Sequence, residues 1–89
     1  MATITQQLLS QVRQAQWLGQ KILTVSGLTN NKVIYTFATD EALVVNCADY
    51  EAVWQFDEHQ GDLWQAIGRL KLPIQAIRIE RQGKVLYDF

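Results

Sequence analysis

The chain has 89 residues, 48% of them apolar and 19% charged, with a formal net charge of −1. That composition excludes an extended disordered tail and limits the chain to one globular domain, residues 1–89, with one small core. The longest apolar runs are a few residues, far short of the roughly 20 a membrane-crossing helix needs, so no membrane partner is expected. The single cysteine, Cys47, cannot close an internal disulfide, and no basic start leads into an apolar run and cleavage site, so a cytoplasmic location is expected.

Thr3-Ile4-Thr5-Gln6 has the form of a capping box and predicts a helix start. Ile4, Leu8, Val12, Ala15 and Leu18 then recur at helical spacing as a core-facing stripe, and Gly19 stands where a left-handed terminal residue is wanted. Leu9 and Trp17 fall off the stripe and are candidate contact residues. Lys21–Gly27 and Lys32–Thr39 read as strands from their β-branched and aromatic residues, joined by a tight turn at Asn30-Asn31. A further turn at Thr39–Ala42 leads into a third strand, Leu43–Ala48, completing a three-stranded antiparallel meander.

Asp49 is placed to cap a helix whose apolar side carries Tyr50, Val53, Trp54 and Phe56. Gly61 interrupts it, Asp62-Leu63-Trp64-Gln65 offers a second cap, and Leu63, Ile67 and Leu70 resume the apolar stripe. Trp54 and Trp64 lie beside these stripes and are assigned to the core. After Pro73, residues 74–81 and 85–89 form a hairpin with Gly83 in the turn. The expected fold class is α+β: an N-terminal helix, a three-stranded antiparallel meander, a central broken helix and a C-terminal β-hairpin, with helices covering one face of an antiparallel sheet.

Phe56–Asp62 gathers three acids, a glycine and the only histidine, yet the spacing is wrong for a metal. Asp57, Glu58, His59 and Asp62 do not converge around a helix interrupted at Gly61, and no second histidine completes a ligand set. His59 reads as an exposed helix-end residue. Cys47 and His59 are the only pair that could serve a small Cys/His hydrolase, but Cys47 sits where an apolar strand buries a small residue. The glycines form no phosphate-cradling run. No catalytic residue, metal or cofactor is expected.

The charges fall in blocks, with seven acids and no Lys or Arg from Asp40 to Asp62, then Arg69, Lys71, Arg78, Arg81 and Lys84. The order helix, three strands, helix resembles that of double-stranded RNA-binding domains, but Asp49 and Glu51 open the second helix, where those modules need basic side chains. Arg78, Arg81 and Lys84 along one side of the last hairpin remain the candidate nucleic-acid contact. The favoured expectation is a non-catalytic protein acting through protein–protein interaction, as regulator, adaptor or inhibitor. Leu9, Trp17, Leu86, Tyr87 and Phe89 are its candidate contacts, the last three on a final strand that would be an edge, and a homodimer or an obligate complex with another protein is expected rather than an isolated monomer.

Overall fold

The computed structural model describes residues 4–89; Thr3, the expected capping residue, lies outside them. The order is α1 (Ile4–Ser26), β1 (Val33–Ala38), β2 (Ala42–Cys47), α2 (Tyr50–Glu58), α3 (Gln60–Arg69), β3 (Ala76–Arg81) and β4 (Lys84–Asp88). The α+β class and the broken central helix are as the sequence implies. The strands form one sheet in the order β1-β2-β3-β4.

The expected strand at Lys21–Gly27 is instead the last two turns of α1. Ile22 and Leu23 are fully buried and continue the helical spacing from Ala15 through Leu18 and Gly19, so core packing outweighs the β preference of Ile22, Thr24 and Val25. The helix ends at Gly27, with φ +76°, where Leu28 N–H donates across the turn to Leu23 C=O at 3.0 Å. Gly19 is therefore a mid-helix packing residue and not a cap. Asn30 and Asn31 carry the chain from α1 into β1, without the positive φ of a tight strand-to-strand turn.

The sheet is mixed rather than antiparallel. β1–β2 and β3–β4 are antiparallel pairs, but β2 and β3 run parallel, with Ala42 opposite Ala76 and Cys47 opposite Arg81. Two helices lie between those strands and carry the chain back along the sheet, so it re-enters in the original direction. Three-stranded order is lost with the first expected strand, and the resemblance to double-stranded RNA-binding domains goes with it.

All three helices cover one face of the sheet. Leu43, Val45, Cys47, Ile77 and Ile79 from that face pack with Ile22 and Leu23 of α1, Val53 and Phe56 of α2, and Leu63 and Ile67 of α3. The other face has no helix across it, and α1 reaches only its β1 border, beside Tyr35 and Phe37. On that face Tyr35, Asn46 and Glu80 lie in one row across β1, β2 and β3, and Tyr35 Oη donates over Asn46 to Glu80 Oε1 at 2.7 Å. Asn46 Oδ1 accepts from Gly83 N–H at 2.8 Å, tying the last turn to β2.

The break between α2 and α3 falls at His59 (φ −109°, ψ 23°), and Gly61 already lies in the first turn of α3 with no left-handed strain. Asp49 caps α2 by accepting from Ala52 N–H at 3.0 Å. Trp64 packs on the core, but Trp54 is 63% exposed: Ala52, Val53 and Phe56 fill the inward side of α2, and Trp54 is turned off it.

Candidate interaction surface

Helix α1 has 23 residues and is about 34 Å long, whereas a six-residue strand spans about 20 Å. A helix that long cannot rest wholly on this sheet. Its C-terminal part is seated, and residues 4–14 are all solvent-exposed, so about 16 Å of helix projects beyond the body. Ile4, Leu8 and Val12, expected as core, lie on this projection, with Leu8 56% and Val12 52% exposed. The apolar stripe is real, but the domain leaves more than half of each of these residues uncovered.

Beneath the projection, Leu8, Val12 and Ala15 of α1 and Tyr35 and Phe37 of β1 line an apolar groove of about 470 Å³. Tyr35 and Phe37 stack with ring centroids 5.8 Å apart. β1 is a sheet edge, and its sequence Val-Ile-Tyr-Thr-Phe-Ala holds neither charge nor proline, the usual guards against edge pairing. The groove thus joins an unsupported helix face to an unguarded edge.

Leu9 and Trp17 are both more than half exposed on α1, and Lys21 Nζ lies 4.9 Å from the Trp17 ring centroid. β4 is the opposite edge, as expected for the final strand, and Leu86 is exposed there. Tyr87 and Phe89 turn inward against the core; Tyr87 Oη donates to Asp57 Oδ1 at 3.0 Å, and Phe89 exchanges backbone hydrogen bonds with Ile77. The five residues therefore divide between the two ends of the sheet and form no single patch. The signal for the groove was the length of one uninterrupted helix, hidden by reading residues 21–27 as a strand.

The basic residues of the last hairpin are not gathered either. Arg78 points to the helix-free face and pairs with Asp88, Nε to Oδ1 at 3.0 Å, which holds the Asp88 carboxyl below its usual range. Arg81 lies on the opposite face over the Tyr50 ring, 4.3 Å from its centroid. Lys84 is exposed in β4. The acidic middle is answered in part by Lys32, which contacts Asp49 at 3.0 Å and Glu51 at 3.6 Å, not by the C-terminal basic residues.

Cys47 is fully buried at the end of β2, and burial pushes its thiol up to about 11, with the Asp49 carboxylate adding to the effect. A nucleophilic cysteine needs the reverse shift. His59 is paired to Asp62, Nδ1 to Oδ2 at 3.1 Å, and no hydrogen bond joins it to Cys47 among the described residues. Nor, among those residues, do three His, Cys, Asp or Glu side chains cluster as metal ligands would. No described helix is long and apolar enough to cross a membrane. No protein-family model, curated protein or solved structure matches the chain.

Proposed function

We propose that this is a non-catalytic protein that works by binding protein at the face formed by the projecting half of α1 and the free edge of β1, as a regulator, adaptor or inhibitor. The observation that carries the reading is the run of exposure from Ile4 to Gln14 on a helix that nonetheless keeps a regular apolar stripe. Isolated helical segments of this length are marginal in water, and tertiary packing normally supplies their stability. A partner is the natural source of that packing. A single free, buried cysteine is at ease in a reducing compartment, which supports a cytoplasmic location.

The test is affinity capture from source lysate with the wild-type chain and with the double variant Leu8→Glu, Val12→Glu, each with and without nuclease. A protein retained after nuclease and lost with the double variant is the expected result. Capture that depends on nucleic acid and on Arg78 or Lys84 would replace this reading with nucleic-acid binding. Capture indifferent to Leu8 and Val12 would remove the helix from the contact.

A further inference from the structure

Taking the interaction reading as its basis, we infer that the occupant of the α1–β1 groove is α1 of a second copy of this chain. In a two-fold dimer the same patch must serve as donor and receiver. Here the two halves lie side by side on one element: Ile4, Leu8 and Val12 form a ridge along α1, and Leu8, Val12 and Ala15 with Tyr35 and Phe37 form the groove next to it. Two copies related by a two-fold axis lay each ridge into the other's groove. Each partner helix then lies along the free edge of β1, one of the ways proteins shield such edges.

Area and charge point to the same occupant. The accessible surface is 5909 Å², whereas a compact monomer of this 10.2 kDa mass exposes roughly 5,300 Å². That excess of about 600 Å² is of the size each side contributes to a small specific interface of about 1,200 Å². From Ile4 to Gln20 the helix carries one formal charge, Arg13, and β1 carries none. Two copies therefore meet without like-charge conflict. The acids bordering the end of β1 are Asp40 and Glu41, opposite in sign to Arg13, and none of these three has an ion pair among the described residues. A partner helix supplies an arginine where the receiving copy has acids.

Sedimentation velocity across the micromolar range tests this, with circular dichroism as the control for folding. The wild-type chain is expected at twice its monomer mass. Leu8→Glu, Val12→Glu is expected as a folded monomer, since both sites are exposed and glutamate is a good helix former. Arg13→Glu is expected to weaken the dimer severalfold at low salt, with added salt recovering part of the loss by screening the new repulsion from Asp40 and Glu41. A wild-type monomer at every concentration, or a dimer that survives the double variant, overturns the inference. A monomer that still captures a lysate protein through Leu8 and Val12 would leave the interaction reading standing without the second copy; a monomer that captures nothing would end both.

Discussion

Gly19 of α1 lies directly on the backbone of Phe37 in β1: a Cβ at position 19 would fall 2.8 Å from both Cα and N of Phe37. The obstacle is main chain, which cannot rotate away. Gly19→Ala should therefore destabilise the fold by about 1–3 kcal/mol of overpacking, more than the roughly 1 kcal/mol of helix propensity it regains. Gly68→Ala in α3 meets nothing within 4 Å and should stabilise by up to about 1 kcal/mol. Urea unfolding of the two variants, of opposite sign for the same substitution, checks the placement of α1 on β1.

Cys47 should resist alkylation. With its thiol pushed up to about 11 and no exposed surface, it should react with iodoacetamide at neutral pH only after unfolding in urea. Rapid labelling of the folded chain, measured by mass spectrometry, would contradict its burial and reopen the hydrolase alternative.

Tyr87 makes stability fall in alkali. Burial first, and then its hydrogen bond to Asp57, push the phenol up to about 12 from an ordinary value of 10.0. The unfolded chain ionises first, so the stabilisation is complete below about pH 10 and is lost as pH rises towards about 12. Tyr87→Phe should flatten that part of the profile. At neutral pH it should cost about 1 kcal/mol for the lost hydrogen bond.

The turn between β3 and β4 has positive φ at both Gln82 (51°) and Gly83 (84°), as a two-residue type I′ turn requires. Glutamine is poorly suited to that conformation and asparagine well suited. Gln82→Asn should add a few tenths to about 1 kcal/mol, read as a higher urea midpoint with an unchanged slope.

His59→Gln should change stability by no more than about 0.5 kcal/mol, because the ring is exposed and its one described partner is Asp62 at the surface. Equilibrium unfolding measures it. A stoichiometric transition metal that copurifies and is lost in this variant would refute the reading of His59 as a helix-end residue.

The elements with local signatures were legible. Asp49 reads as a helix cap and is one; Gly83 marks a turn; the apolar run from Leu43 reads as a strand and is one, and the apolar spacing of Leu63 and Ile67 marks residues that lie in the core. What failed depended on distant neighbours. Ile22 and Val25 prefer strands in isolation and are held in a helix by the sheet beneath them, and Gly19 mimics a cap although the approach of Phe37 is what requires it. The parallel join of β2 to β3 leaves no local mark. The groove was missed because Ile4, Leu8 and Val12 satisfy the pattern of a buried face; periodicity reports which residues share a side, not whether anything lies opposite.

That parallel join governs how the chain can fold. The two hairpins close over short turns, but Ala42 and Ala76 are 34 positions apart, and the intervening chain must order α2 and α3 before the central ladder can form. Long closures of this kind slow folding. Truncating Val45 or Ile77 at the join should therefore retard refolding more than substitutions at Leu8 or Val12, which no β-ladder engages. In hydrogen exchange, the central amides of β2 and β3 should outlast those of α1 before Ala15, and in the monomeric Leu8→Glu, Val12→Glu variant the one helix should be graded along its length, firm at Ile22 and open in its first turns.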